Sequence, residues 1–562
     1  MRALVDEVVK MPELTGPFSS PEAAWELLAR VEARSSATFN LLLAHPYTGS
    51  WSGYTTRLVH SNITGVCPLW MHVGHLHAIA AAAAIRARLN FEISVPLWNG
   101  NAILPSLGLV NLPTAQQHAV AKVVGENGQF EVSNGIDRVR LPSPLDQDAP
   151  GWWSIRRATA TTGGRRLALW LDDVDPYRGL YGPVPPQRLD PDEVGTWRCL
   201  LEDAWQLIVR HLPKLARAIP VGLDSLVPAP SVPFRNPSAS SGEAFGSALV
   251  ARPTDAASLA ATLIHEFQHI VLGGVLHLTR LYDDDPRERF YVPWRDDPRP
   301  LNRVLQGIYA FFGVTAFWRA LARAGEPAVG RRAAFEFAYW RGQTWRVLGA
   351  LREDASLTSS GRRFINGIAA QLGPWQSEPL PADTIELAEA MGADHHAGWR
   401  IRHLRPDPVM VAELTTAWLA GRSRPPVMHT TMVGSAPTPV PDGSWSSARV
   451  DLIRLAIDTD RRTMRKVWST MPGATVADLA YATGQVEEAI RQYSAELRTD
   501  PDRPASWTGL GIALARTGER LASGALLHHP ELVRAVYRSI RASGSPSPGP
   551  VDLAAWIGRA AH

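Results

Sequence analysis

Cysteine is nearly absent: Cys67 and Cys199 are the two in 562 residues. That excludes a disulfide framework or a cysteine-built zinc site and fits a reducing compartment. Lysine is scarce as well, with four among 57 basic residues. The formal charge of +3 is small for this size, and no Lys/Arg block with interleaved aromatics occurs, so nothing supports nucleic-acid binding. The N-terminal stretch Met1 to Lys10 mixes acids into its apolar residues and lacks the uninterrupted core of a signal peptide. The longest run of small apolar residues, Ala78 to Ile85, is too short to span a bilayer. These features predict a cytoplasmic protein without a membrane segment.

What is present is ordinary for a globular chain, 45% hydrophobic and 20% charged, with room for roughly two to four domains. The informative stretch is Ala260 to Leu272, an apolar segment containing His265-Glu266-Phe267-Gln268-His269. On a helix, positions i and i+4 share a face, so the two imidazoles can converge on one metal ion, with Glu266 beside it. In metallopeptidases such a glutamate takes a proton from metal-bound water. Chance alone gives H-E-x-x-H in about a few per cent of chains this long, and the competing reading is a structural core pair. The context favours metal: Thr254 or Asp255 can cap the helix, and Leu259, Leu263, Phe267, Ile270 and Val271 make it apolar enough to be buried. Two histidines and a glutamate there lose hydration, which one metal ion would replace.

Around this stretch the pattern predicts an α+β protein, mainly helical, with the motif helix packed by short strands and helices. Residues 1–174 read as a helical and then β-rich part, with a helix from Ser20 to Arg34, a break at His45 to Trp51, an Ala-rich helix from His75, and short strands from Phe91 to Val174. His72, His75 and His77 do not share one helical face, which argues against a second metal site. Residues 175–425 read as the metal-binding part. There the strand Phe245 to Ala251 feeds the motif helix, Gly273-Gly274 loosens or ends it, and apolar helices follow at Leu301 to Ala322, Arg332 to Leu351 and Ala382 to Met391. In residues 426–562, Ala477 to Gly484 and Gly511 to Gly518 align at a spacing of 34, the length of a tetratricopeptide unit. One hairpin and a half is too little for an independent solenoid. This C-terminal tetratricopeptide-like module therefore packs on the preceding part, with Gly434 to Ser447 as linker, and serves docking or structure. Removing it after about Arg422 is expected to leave a folded core.

Four segments occur in a fixed order: His265-Glu266-Phe267-Gln268-His269; Tyr291-x-Pro293-Trp294-Arg295-x-Asp297-Pro298-Arg299-Pro300; Leu305-Gln306-Gly307; and Asp394-His395 followed by Trp399-Arg400-x-Arg402. In this the chain resembles the HExxH-motif domain of actinobacterial peptide-modifying proteins, over roughly His45 to Arg422. That family is understood as α-ketoglutarate-dependent peptide β-hydroxylases acting on ribosomally made precursor peptides in natural-product biosynthesis. The resemblance implies Fe(II) held by His265, His269 and a third ligand, with α-ketoglutarate and O2 in the open positions. His395 is the preferred third ligand and His277 its rival, about 12 Å further along the motif helix if that helix continues. The co-substrate carboxylate needs a fork of donors, for which Arg299, Arg400 and Arg402 are candidates. Tyr291, Trp294 and Trp399 are expected to shape the peptide groove. The expected partners are a precursor peptide and a maturation enzyme recruited by the C-terminal module. The alternatives are a zinc metallopeptidase with Glu266 as base and a non-catalytic, metal-stabilised binding protein.

Overall fold

The computed structural model describes residues 1–18, 20–61, 67–325, 329–427 and 436–560. The fold is mixed α+β and mainly helical. It divides into two compact units, Met1–Val232 with Asn236–Gly273, and Gly274–His562 with Pro233–Arg235. The three-part division read from composition differs from this: the C-terminal 137 residues share a unit with the helices that precede them.

The first unit is built on two sheets. One has seven antiparallel strands in the order Arg138–Arg140, Gln129–Ser133, His118–Glu126, Phe91–Trp98, Asn101–Leu104, Gly108–Asn111, Trp152–Ser154. The helix Leu69–Arg86 covers it, and Ala78 through Ala84 are wholly buried there. A helix apolar on every side is stable only inside a core. The expected break at His45 to Trp51 is instead the start of a helix, Pro46–Ser61. Proline at the first position has no N–H to lose and a φ already suited to a helix, so His45-Pro46 starts the helix rather than interrupting it.

The second sheet carries the motif. Its order is Ser238–Ala239, Ser247–Ala251, Ser225–Ala229, Arg165–Leu171, Arg156–Thr162. Ser225–Ala229 runs parallel to both of its neighbours, and the edge pair Ser238–Ala239 runs antiparallel to Ser247–Ala251. The connection from Arg165–Leu171 to Ser225–Ala229 contains the helix Pro191–His211, started by a reciprocal cap between Asp190 and Glu193.

The second unit is helical. Leu301–Ala324, Gly330–Leu351 and Ala382–His403 pack in sequence, and the C-terminal helices add to the same core: Tyr339, Met391, Ile401, Tyr493, Trp507 and Tyr537 belong to one buried cluster. Val476–Ala482 pairs with Val486–Thr499, and Pro504–Thr517 with Arg520–His528. Gly484 and Gly518, the aligned glycines, both take the left-handed φ (77° and 83°) that ends the preceding helix without a Cβ clash. The expected linker begins outside the described residues. Its described part, from residue 436, is docked: Thr438 N–H donates to the His403 carbonyl at 2.9 Å, Asp442 N–H to the Arg402 carbonyl at 2.8 Å, and Trp445 packs where Gly398 leaves room. Among the described residues, two helices, Ala256–Leu278 and Leu301–Ala324, are long and apolar enough to cross a membrane, yet over half of each such window (56% and 61%) is buried in protein.

Candidate metal centre

The motif helix, Ala256–Leu278, starts where Asp255 accepts from the backbone N–H and hydroxyl of Ser258, both at 2.8 Å. This capping satisfies a donor that has no partner inside the helix. Leu259, Leu263, Phe267 and Ile270 anchor it, and the Phe267 ring sits against Gly222, where a Cβ would come within 2.9 Å. Gly273-Gly274 do not end it; the helix runs on through them to Leu278, although Leu272 is its last buried residue and His277 lies exposed on its last turn.

His265 and His269 are half-buried, while Glu266, Phe267 and Gln268 between them are buried. Their Nε2 atoms lie 3.1 Å apart. Two ligand nitrogens each about 2.1 Å from one metal stand roughly 3.0 to 3.4 Å apart for angles between square and tetrahedral. The same separation suits one nitrogen donating to the other, so the distance is compatible with a metal at two coordination positions and equally with a direct hydrogen bond. Lost hydration, then the neighbouring His269, push His265 down to about 3, which leaves its imidazole neutral as a ligand must be. Glu266 is 1% exposed. Its Oε1 accepts from the Ser238 hydroxyl at 2.6 Å, and its Oε2 is buried without a hydrogen-bond partner among the described residues.

In the second unit, three of the four segments gather. Ala382–His403 is one helix, longer than expected, so Asp394, His395, Trp399, Arg400 and Arg402 share it. The Tyr291 hydroxyl is 2.9 Å from His395 Nδ1, and the Tyr291 ring meets His396 and Trp399 edge-on at 4.7 and 5.5 Å. Trp294 lies over Gly307, where no side chain would fit, and stacks on Phe311. His395 Nε2 is 3.6 Å from the Asp296 carboxylate. Burial raises the pKa of Asp296, but the bond to His395 and the charges of Arg402 and Arg235 outweigh it and hold the acid below the usual range.

The three candidate arginines differ. Arg299 pairs with Asp297 at 2.7 Å, and Arg400 with the buried Glu531 at 2.5 Å. The hydrogen bonds of Arg402 go to carbonyl oxygens, of Gly443 at 3.3 Å and Asp296 at 3.4 Å. Burial lowers its pKa, against the nearby Asp296 and Asp297. Of the three, Arg402 retains most capacity for an anionic ligand.

The chain matches no protein-family model and no curated protein. Among the described residues, no group of three or more His, Cys, Asp and Glu side chains is gathered to hold a metal. Ser238 was not singled out by sequence, where its stretch reads as a polar loop; it reaches Glu266 because Ser238–Ala239 is an edge strand that pairs Ser238 with Val250 just before the motif helix. Asp296 was legible only as part of a dense loop. The histidines of the first unit are buried among aromatics: His72 Nδ1 is 2.9 Å from the Tyr177 hydroxyl, and His75 packs on the same ring at 4.6 Å.

Proposed function

We propose that this protein is an Fe(II)- and α-ketoglutarate-dependent β-hydroxylase of a ribosomally made precursor peptide. The observation that carries the reading is the gathering of Tyr291, Trp294, Gly307, His395 and Trp399, drawn from segments up to 108 residues apart, in the order in which they occur in the HExxH peptide-modifying family. His265 and His269 supply two imidazole ligands; the resemblance assigns the third to His395, whose Nδ1 is held by Tyr291. With O2 and α-ketoglutarate, iron so held supplies an oxidant able to hydroxylate a peptide Cβ position. Arg402 receives the co-substrate carboxylate, and Tyr291, Trp294 and Trp399 form the apolar surface against which the peptide is positioned. Ser238 fixes Glu266, whose task is to orient groups beside the imidazoles. The C-terminal helices are read as tetratricopeptide-like, suited to a peptide or a maturation enzyme.

A second reading, a zinc metallopeptidase, is favoured by one observation: the buried Oε2 of Glu266 has capacity to take a proton from water. The two separate on one experiment. Protein purified anaerobically and supplied with Fe(II), α-ketoglutarate and O2 is expected to release succinate in step with peptide oxidation, and Glu266→Gln to keep metal and part of that turnover. Zinc retained with no succinate formed, and peptide cleavage abolished by Glu266→Gln, would establish the peptidase instead.

A further inference from the structure

The second unit contains a cavity of about 430 Å³ enclosed by the end of Ala382–His403, the helix Pro408–Leu419 and the helix Pro530–Ala542. Its polar side is an excess of arginine. Arg534, 2% exposed, lies 3.0 Å from Asp442; Arg538 pairs with the same carboxylate at 2.7 and 3.1 Å and with Asp502 at 2.6 Å. Arg405 donates to the carbonyls of Arg402 at 2.8 Å and Val440 at 3.1 Å. Glu531 also borders the cavity but is taken by Arg400. Three guanidinium groups, Arg405, Arg534 and Arg538, thus line the cavity beside two carboxylates, Asp442 and Glu531, while Arg400 and Asp502 pair with lining residues from outside it. Burial, then the like charge of Arg538, bring Arg534 down to about 10, against the nearby Asp442 and Asp502. The opposite side is apolar, with Ile401, Leu404 and Val411.

We infer that this cavity docks an acidic segment of the peptide substrate, its carboxylate taken by the exposed Arg405 and its neighbouring aliphatic side chain laid on Leu404 and Val411. The inference rests on the peptide-modifying reading and deepens it, since a free inorganic anion would have no use for the apolar wall. A guanidinium fork binds carboxylate in two parallel hydrogen bonds, and an apolar surface beside it selects a residue pair rather than a lone ion.

The test uses the full chain and a fluorescein-labelled peptide alternating leucine and glutamate, followed by anisotropy. Saturable binding is expected, weakened by salt and about tenfold or more weaker when glutamine replaces glutamate. Arg405→Glu reverses a charge whose hydrogen bonds go to backbone carbonyls, and Ala412→Trp fills the cavity from an exposed position. Both are expected to lose binding while circular dichroism and succinate release on a short core peptide stay unchanged. Equal binding of the glutamate and glutamine peptides, indifference to both variants, or displacement by millimolar succinate would overturn the docking inference. Absence of succinate release from wild type with binding intact would instead overturn the hydroxylase reading alone.

Discussion

The hydroxyl of Ser238 donates to Oε1 of Glu266 at 2.6 Å, so that one oxygen of the motif carboxylate is fixed and the other is left buried without a hydrogen-bond partner among the described residues. Removing that donor leaves both oxygens of a buried acid without compensation. Ser238→Ala is expected to destabilise the protein by about 1.5 to 3 kcal/mol, read as a lower urea midpoint, with metal content retained. An unchanged midpoint would show that the serine does not hold the carboxylate in solution.

Tyr291 bears on the third ligand. Its hydroxyl fixes the His395 ring through Nδ1, and groups that orient a metal-bound imidazole are worth about 10- to 100-fold in affinity. Tyr291→Phe keeps the ring packing against His396 and Trp399, so the fold is expected to survive while Fe(II) affinity falls by that factor. Competition titration with a chelator measures it, and affinity equal to wild type would remove His395 from the ligand set.

Stability should fall with acid because of the first unit. Burial pushes His45 and His75 down to about 3, and His72 and His77 to about 4. The unfolded chain takes up these protons near pH 6.5 and the folded chain does not, so the stability is present above that pH and is lost on the way down. Each histidine costs about 1 kcal/mol between pH 6.5 and 5.5. Asp175 works the other way: burial, then the charge of Asp172, push it up to about 8, so its contribution is present at low pH and disappears as pH rises through 8. Urea midpoints across this range should decline, and Asp175→Asn should steepen the decline. A flat profile would mean that the histidines are hydrated.

Truncation after Arg422 is expected to fail, against what the composition suggested. Arg449 binds Asp394 and Asp478 in a buried knot, Glu531 binds Arg400, and Arg454 binds Glu336. Cutting the tail strands Asp394 and Arg400 on the helix that carries His395, and a buried charge deprived of its partner costs about 3 to 5 kcal/mol. Insoluble or molten protein is the expected outcome, judged by solubility and near-UV circular dichroism. A cooperative unfolding transition in residues 1–422 would show the tail to be separable.

Local chemistry made much of this legible in sequence. The i, i+4 spacing of His265 and His269 fixes their shared face, Asp255 fixes the start of their helix, and the alternation from Phe91 onward fixes strands, because each depends on residues a few positions apart. The aligned glycines Gly484 and Gly518 likewise marked helix ends that only a residue without Cβ makes easily.

What only the tertiary structure decided was long-range. That Ser238 reaches Glu266 depends on the register of an edge strand, and that Arg402 rather than Arg299 or Arg400 retains donor capacity depends on Asp297 and Glu531, the latter 131 residues from Arg400. The length of the His395 helix and the fate of the tail were set by Arg449 and the shared apolar core. Propensity counts neighbours along the chain, whereas burial and charge compensation count neighbours in space, and the latter outweigh a local turn signal when a helix face must be covered.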